Sequence, residues 1–192
     1  MSMIEIYFDG ACEPNNPKGI ATYGFVIYRD GEKLNEGKGL ACEPFSYQAS
    51  NNVAEYTAMI KALEFIIEIG LTKEEITIHG DSQLAIRQMT GWYSVNAERI
   101  IPLYKKACEL ARQFKKLQFQ WVPREENGEA DDLSHQAYEE YIEAHPDIRE
   151  KVIAVGATPK QKAFMNRLDI KHDKYISKRE ASRLISRKLD KK

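Results

Sequence analysis

The chain has 192 residues, of which 43% are hydrophobic and 30% are charged, and its net charge is −1. These values are typical of a soluble globular protein with one ordinary core and room for a small addition. No apolar run approaches the roughly 20 residues that a membrane-spanning helix needs, and strand-like alternation at the start leaves no room for a signal peptide. Three cysteines, Cys12, Cys42 and Cys108, are odd in number and lack metal-ligand spacing. We therefore expect a cytoplasmic protein without a disulfide framework.

The charge is distributed unevenly along the chain. Residues 156–192 contain 12 Lys and Arg against 4 Asp and Glu, a balance of +8, while the remaining 155 residues carry 16 basic and 25 acidic residues, a balance of −9. An acidic body with a basic tail favours a polyanion-binding appendage. A merely solvated chain end stays open as the alternative.

The N-terminal part of the chain predicts three β-strands. Residues 3–9 alternate in hydrophobicity and end at Asp9-Gly10, and residues 20–28 form a second β-rich run. Asp30-Gly31 is a hairpin turn signal that leads into a third strand near residues 33–41. We therefore expect two antiparallel hairpins.

A helical period follows, beginning at Ser50-Asn51-Asn52 and ending at Gly70. Its apolar residues form one stripe at helical spacing: Val53, Tyr56, Ile60, Leu63 and Ile67. The later predicted elements are a strand at 76–78, helices at about 82–90 and 97–114, a strand at 117–122 and a helix at about 129–143. The order βββαβααβα predicts an α/β fold, with a five-stranded mixed sheet flanked by helices.

The end of the chain predicts a separate helical segment. We divide the chain into a catalytic domain at residues 1–145, a linker at 146–157 and a small basic segment at 158–192. Thr158-Pro159 begins one helix, and Ser177 to Glu180 is a capping box that begins a second. Two short helices are too few to fold securely alone, so we expect them to dock on the main domain or to order on a partner.

Four acidic residues lie where predicted strands end or helices begin: Asp9, Glu55, Asp81 and Asp131. Each one alone has an ordinary explanation, because Asp-Gly suits a turn and acids are favoured at helix N-termini. Several acids gathered at one place, however, cannot all stay ionised unless a cation joins them. Hard oxygen ligands suit Mg²⁺ or Mn²⁺, and a pair of such ions is typical of enzymes that cut phosphodiesters. Parallel pairing of the strands before Asp9 and Asp81 would bring these two acids together.

Four short sequence blocks, taken together in their order along the chain, are specific enough to indicate a family. They are Asp9-Gly10-Ala11-Cys12 with Asn16-Pro17, Asn51-Asn52-Val53-Ala54-Glu55-Tyr56, Gly80-Asp81-Ser82-Gln83-Leu84, and Trp121-Val122-Pro123-Arg124-Glu125-Glu126-Asn127 to Ala130-Asp131. In this set the chain resembles type 1 ribonuclease H over about residues 1–143. The resemblance implies a ribonuclease-H-like fold and endonucleolytic hydrolysis of the RNA strand of RNA–DNA hybrids, which leaves 5′-phosphate and 3′-hydroxyl ends. Other nucleases and polynucleotidyl transferases stay open as alternatives, as does a hybrid-binding module with vestigial acids.

The resemblance also implies which carboxylates act in catalysis and metal binding: Asp9, Glu55, Asp81 and Asp131. The implied cofactors are two Mg²⁺ ions, with Mn²⁺ as a substitute. Asp9 would bridge the two ions, Asp131 would help the ion that holds the attacking water, and the other two acids would hold the ion at the leaving oxygen. Asp132 is the neighbour of Asp131, and only one of two adjacent helical residues can point squarely into a site. The family pattern favours Asp131.

Substrate contacts are implied in the same way, at positions where the family reads the minor groove: Cys12, Asn16, Asn51, Asn52 and Gln83. Amides suit this task because they can both donate to and accept from the 2′-hydroxyls that line this groove. Loop formation or helix capping is the alternative for the amides, and a core position is the alternative for Cys12.

Two features of many relatives are missing from the sequence. The loop before the fourth acid has no histidine, so we predict Arg124 as a phosphate contact or an aid to product release, with an ordinary solvated arginine as the alternative. We predict His135 as a surface or packing residue. Only residues 91–96 fill the interval where several relatives carry a basic handle, which makes the basic C-terminal segment a candidate for substrate binding. We expect an RNA–DNA hybrid as the partner of a monomer that needs no obligate protein partner.

Overall fold

A five-stranded mixed sheet forms the centre of the computed structural model, which describes residues 2–172 and 174–190. The strands are β1 (Met3–Glu13), β2 (Ile20–Arg29), β3 (Glu32–Leu40), β4 (Glu75–Gly80) and β5 (Lys116–Trp121). Their order across the sheet is β3-β2-β1-β4-β5. The first three strands pair antiparallel, whereas β4 is parallel to β1 and β5 is parallel to β4. The predicted five-stranded mixed sheet and its two N-terminal hairpins are therefore confirmed.

The described residues also form α-helices. They are α1 (Asn51–Glu68), α2 (Gln83–Met89), α3 (Ile101–Ala111), α4 (Gly128–Ala144), α5 (Pro146–Val155), α6 (Pro159–Arg167) and α7 (Lys178–Asp190). The order from β1 to α4 is the predicted βββαβααβα. Because side chains alternate between the two faces of a strand, β1 can face α1 with Ile4, Ile6 and Phe8 while it faces α4 with Asp9.

The main core lies between the sheet and α1. Ile4, Ile6 and Phe8 of β1 are fully buried there. The predicted stripe of α1 packs against them, with Val53, Tyr56, Ile60 and Leu63 buried and Ile67 partly buried. The helix begins after Ser50, whose side chain accepts a hydrogen bond from the Val53 amide, and Gly70 follows its end with a φ of +74°. Both boundaries agree with the sequence pattern.

Two predicted boundaries are wrong. The prediction that Asp9-Gly10 closes a strand fails because β1 continues to Glu13, and its residues 10–13 pair with residues 20–23 of β2. The helix predicted from residue 97 to 114 spans only Ile101–Ala111. Residues 98–100 form a turn instead, and Pro102 lies in the first turn of α3, where its missing amide proton costs nothing.

The segment predicted as a linker, residues 146–157, is mostly helical and contains α5. Pro146 begins this helix, and Val152 is buried in an apolar cluster together with Ile20, Tyr138 and Ile142. The C-terminal region described by the structure therefore has three helices after α4, where we predicted two. The linker prediction fails because Pro146, which can end a helical pattern, can equally occupy the first turn of a new helix. The division of the chain into domains stays a prediction.

We call residues 156–190 the C-terminal unit. It has a small core formed by Met165, Ile176 and Ala181, and a β-bridge joins Gly156 to Ser177. Thr158 and Gln161 form a complete capping box at the start of α6. The capping box predicted at Ser177 is half formed: its hydroxyl accepts from the Glu180 amide (3.1 Å), while the Glu180 carboxylate accepts from Arg183 (2.6 Å).

Within the described ranges, 2–172 and 174–190, we find no helix with both the length and the apolarity that a membrane span requires.

Candidate active site

The parallel pairing of β1 and β4 sets the positions of two acids. Phe8 and Gly80 are opposite each other in the ladder, so Asp9 and Asp81 directly follow paired residues on neighbouring strands. The Trp121 indole donates a hydrogen bond to the Asp81 carbonyl (3.1 Å), which fixes the chain where β4 ends. The two carboxylates therefore lie at the same edge of the sheet, as predicted.

The third acid reaches this edge from α1. A Cβ atom at Gly10 would lie 2.2 Å from the Glu55 amide nitrogen, so only glycine allows α1 to pack this closely on β1. Because the helix begins at Asn51 with Ser50 as its N-cap, Glu55 lies in the second turn. The capping alternative for Glu55 is therefore wrong, and its side chain is directed towards the sheet edge.

Asp9, Glu55 and Asp81 form a tight cluster. One carboxylate oxygen from each lies within 4.8 Å of the corresponding oxygens of the other two. Asp9 and Glu55 are only 6% and 8% exposed. Asp9 Oδ2 accepts a hydrogen bond from the Ser134 hydroxyl (2.7 Å), whereas Glu55 Oε2 is buried and has no hydrogen-bond partner among the described residues.

The electrostatics of the cluster oppose ionisation. Burial raises the pKa of Asp9 to about 6, and the charges of Asp131 and Asp81 add to this effect. Burial also raises the pKa of Glu55 well above its ordinary value, helped by the charges of Asp9 and Asp81. The pKa of Asp81 is raised by burial too, although the positive charge of Arg124 opposes this.

The cluster fits a hard divalent cation. A buried carboxylate oxygen without a donor, as at Glu55, costs free energy unless a positive group reaches it. Three carboxylates at this separation supply the oxygen ligands that Mg²⁺ and Mn²⁺ prefer. A cation would offset the burial and the mutual repulsion that raise their pKa values. Asp9, Glu55 and Asp81 are thus the residues that could hold a metal.

Asp131, the fourth predicted acid, lies near this cluster in the first turn of α4. Its Oδ1 accepts a hydrogen bond from Arg124 Nη2 (2.5 Å) and lies 3.6 Å from His135 Nε2. Burial raises the pKa of Asp131, but the hydrogen bond from His135 and the charge of Arg124 outweigh it, so the pKa is lowered. Asp131 is therefore the acid of this group that most readily stays ionised without a metal.

The start of α4 is attached to β1 and β2 beside the cluster. The Asn127 side chain donates to the Phe8 carbonyl (2.9 Å), and Asn127 is almost fully buried. A Cβ atom at Gly24 would lie 2.4 Å from the Ala130 carbonyl oxygen, so α4 can approach β2 only because Gly24 has none. These two contacts place Asp131 and Ser134 next to Asp9.

Asp132, the alternative to Asp131, points elsewhere. Its carboxylate pairs with Lys171 Nζ of the C-terminal unit at 2.5 Å. Asp131 lines the cleft that holds the acid cluster, whereas Asp132 does not. Asp131 is therefore the one of the two that lies at the acid cluster, and its catalytic role stays a prediction.

A cleft of about 280 Å³ opens over the acid cluster. Of the predicted substrate contacts, Cys12, Asn16 and Asn51 line this cleft, whereas Asn52 and Gln83 do not. The Cys12 thiol is buried and donates to the Asn15 carbonyl (3.1 Å), and the Asn16 side chain accepts from the Asn51 amide (3.1 Å). The loop role of Asn16 and the buried position of Cys12 are thus formed, whereas the capping alternative for Asn52 is wrong because Ser50 caps α1. Contact of these residues with a substrate stays a prediction.

Comparisons with known proteins agree with this architecture. A family profile described as reverse transcriptase-like matches residues 7–137. A bifunctional protein of Mycobacterium tuberculosis is 37% identical over 136 residues, and the alignment covers 70% of this chain but only 35% of that protein. Ribonuclease HI of Halobacterium salinarum is 35% identical over 138 residues, which cover 71% of this chain and 65% of that protein.

Comparison with solved structures also finds ribonuclease H proteins. LC11-RNase H1, whose structure was determined in complex with an RNA/DNA hybrid, is 34% identical with a TM-score of 0.65. The match covers 72% of this chain and 99% of that one. The chain belongs to the ribonuclease H family. The region that the family profile matches contains all four acids, whereas the C-terminal unit lies outside it.

Sequence reasoning missed several residues of this ribonuclease H cleft. Ser134 is fully buried three residues after Asp131, a helical spacing that could have indicated a partner of the acids. His135, predicted as a surface or packing residue, is partly buried beside Asp131 and lines the cleft. Arg179 and Arg183 of α7 also line the cleft, and no pattern in the sequence shows that the chain folds back to this place.

Proposed function

We propose that the protein is an endoribonuclease that hydrolyses the RNA strand of RNA–DNA hybrids and leaves 5′-phosphate and 3′-hydroxyl ends. The observation that carries this proposal is the cluster of Asp9, Glu55 and Asp81 at the sheet edge of a ribonuclease H fold. Membership of the family supports the same reaction. The RNA–DNA hybrid is the proposed partner, and two Mg²⁺ ions, with Mn²⁺ as a substitute, are the proposed cofactors.

The proposed metal ligands are Asp9, Glu55, Asp81 and Asp131. When bound, a pair of divalent cations supplies an activated water and neutralises charge on the leaving oxygen of the phosphodiester. Asp9 would hold a cation together with Glu55 and Asp81, because it lies in one tight cluster with both and the charge of Asp131 also acts on it. In the proposed hydrolysis the water loses a proton as its oxygen bonds to phosphorus, and the 3′ oxygen gains a proton as its bond to phosphorus breaks.

Two further side chains, those of Ser134 and Arg124, contact the acids. Ser134 donates to Asp9 Oδ2 and leaves Oδ1 for other ligands. Arg124 supports Asp131 in its ionised form and lies in the cleft, where its guanidinium can also attract the phosphate. We propose this electrostatic role for Arg124 in place of the missing loop histidine.

We assign recognition of the RNA strand to amide side chains. Asn16 and Asn51 line the cleft and could reach 2′-hydroxyls in the minor groove, and Cys12 lies beside them. Asn52 and Gln83 lie outside the cleft lining, in the first turns of α1 and α2, where a duplex wider than the cleft would extend. Their contact with the hybrid is part of the proposal.

The test is cleavage of labelled duplexes by the purified protein. An RNA–DNA hybrid, double-stranded RNA and double-stranded DNA are incubated with and without Mg²⁺, and the product ends are analysed. We expect cleavage of the RNA strand of the hybrid only when Mg²⁺ is present. Asp9→Asn should remove about 4 kcal/mol of transition-state stabilisation, which is roughly a thousandfold in rate.

Asp147→Asn is the matched control, because Asp147 is an exposed carboxylate on α5. It should cleave at the wild-type rate. Hybrid binding without any Mg²⁺-dependent cleavage would instead favour a binding module with vestigial acids. Cleavage of double-stranded RNA as well as the hybrid would broaden the substrate class, and full turnover by Asp9→Asn would refute the assignment of the acids.

A further inference from the structure

The C-terminal unit contributes side chains to the same cleft as the acid cluster. Ser177, Arg179, Glu180 and Arg183 line the cleft together with the acids. Three of these residues lie in the first turns of α7, so one helix presents two guanidinium groups to the cleft. The unit is therefore part of the site and not a detached tail.

The unit is attached to α4, the helix that carries Asp131. Tyr175 is buried in an apolar cluster with Tyr138 and Ile142 of α4. Polar contacts join the same two parts: Lys171 Nζ to Asp132 Oδ1 (2.5 Å), Lys174 Nζ to Glu143 Oε1 (2.7 Å) and Lys174 N to Glu139 Oε1 (2.6 Å). Because one helix supports both groups, the arginines have a defined position relative to the acids.

Both arginines are available to a ligand. Arg179 is exposed and forms no ion pair within residues 2–172 and 174–190. Among the described residues, Arg183 pairs with Glu180 of its own helix (2.6 Å), and its side chain is 59% exposed. Such an exposed pair contributes little stability, so a stronger anion can replace it.

We infer that Arg179 and Arg183 bind phosphates of the RNA–DNA hybrid next to the phosphodiester that is cut, an inference that rests on the function proposed above. The planar fork of a guanidinium matches two phosphate oxygens, and α7 holds two such groups one helical turn apart. A long polyanion can place one phosphate at the cation site while its neighbours reach α7. The unit supplies this positive charge in a chain whose other part is acidic, with +8 for residues 156–192 against −9 for the rest.

The inference gives a measurable salt dependence. Each phosphate contact in a duplex contributes about 0.9 to the slope of log K against log salt concentration, so loss of both arginines should reduce the slope by about 2. The dissociation constant at low salt should rise by roughly tenfold, as expected when two phosphate contacts are lost. Deleting the whole unit would be a poorer test, because Tyr175 would leave its apolar cluster and the main domain would be perturbed.

The experiment therefore uses the full chain and an Arg179→Gln/Arg183→Gln double variant. Fluorescence anisotropy with a labelled RNA–DNA hybrid in EDTA, where cleavage is suppressed, measures the dissociation constant over a series of KCl concentrations. The Mg²⁺-dependent cleavage assay then measures KM, which should rise in parallel. Lys151→Gln/Lys160→Gln is the matched control, since it removes two exposed charges outside the cleft and should keep wild-type affinity, salt slope and cleavage.

A second variant separates charge from folding. Arg179→Lys/Arg183→Lys keeps both charges, so it should retain most of the salt slope, and circular dichroism checks that each variant is folded. If the Gln variant is folded and binds the hybrid with unchanged or tighter affinity and unchanged slope, the inference is overturned. If the wild-type protein does not cleave the hybrid at all, the proposed function fails instead, and the two failures are distinguishable.

Discussion

Replacing Asp9 tests whether its charge, buried beside other acids, destabilises the metal-free protein. Asp9→Asn keeps the size of the side chain, and the amide oxygen can still accept the hydrogen bond from Ser134. The substitution removes only a negative charge that is buried beside other acids. We therefore expect the metal-free variant to be more stable than the wild type at neutral pH.

The magnitude follows from the pKa of Asp9, which is raised from 3.8 to about 6. Because the folded state binds the proton more tightly, the wild type is most stable below the unfolded pKa and loses stability as the pH rises towards about 6. A difference of roughly two pKa units corresponds to about 3 kcal/mol. For a chain of this size, about 3 kcal/mol is roughly 6–12 °C in Tm.

The assay is urea unfolding followed by circular dichroism in EDTA, at about pH 8 and at about pH 3.5, which lie on either side of the predicted transition. Asp9→Asn should exceed the wild type at the higher pH and match it at the lower one. Added Mg²⁺ should stabilise the wild type far more than the variant, because a ligand stabilises only the state that binds it. Asp147→Asn removes an exposed acid from the first turn of α5, so it should change the free energy of unfolding by less than about 1 kcal/mol. A variant no more stable than the wild type at the higher pH in EDTA would contradict the electrostatic account.

Three further substitutions test other parts of the structure. Gly10→Ala should lower the free energy of unfolding by about 2–3 kcal/mol and abolish stabilisation by Mg²⁺, because its Cβ would displace α1 and Glu55. Urea unfolding with and without Mg²⁺ measures the stability and its dependence on the metal. Tyr175→Ala should cost about 3–4 kcal/mol in the same assay, since it removes a buried aromatic ring from the contact with α4. Arg124→Ala should raise the pKa of Asp131, measured by carboxyl carbon NMR in metal-free protein, and lower kcat in the cleavage assay.

The controls and contrary outcomes differ for each. Gly128→Ala is the control for Gly10→Ala, because a Cβ at Gly128 meets nothing within 4 Å. If both glycine variants unfold alike, the close approach of α1 does not require glycine. If Tyr175→Ala has the same free energy of unfolding as the wild type, the C-terminal unit is not docked as described. Unchanged kcat in Arg124→Ala would remove its proposed role.

The sheet and the helix order could be predicted because hydrophobic periodicity is local. Alternation in residues 3–9 and the stripe from Val53 to Ile67 each reflect one buried face, and both appear in the structure. The end of β1 could not be found in this way, since Asp9-Gly10 satisfies a turn as well as it satisfies a strand. The deciding contact is the pairing of residues 10–13 with β2, which lies outside the local pattern.

The site residues that belong to sequence motifs could be predicted, whereas those brought to the cleft by packing could not. Asp9, Glu55 and Asp81 meet because of strand pairing and a glycine contact, and the motifs mark all three. Arg179 and Arg183 reach the cleft only through the docking of Tyr175 and the lysine contacts of the C-terminal unit, which no local pattern encodes. Charge counts indicated a polyanion site in this unit without showing where on the fold it would lie.

The pairing of Phe8 with Gly80 restricts how this protein can vary. A slip of one residue between β1 and β4 would turn every following side chain to the other face of the sheet and separate Asp9 from Asp81. An insertion or deletion within either of these two strands is therefore expected to disrupt the acid cluster. Variants can differ in the residues around the acids, while the distance between Asp9 and Asp81 depends on the backbone hydrogen bonds that pair β1 with β4.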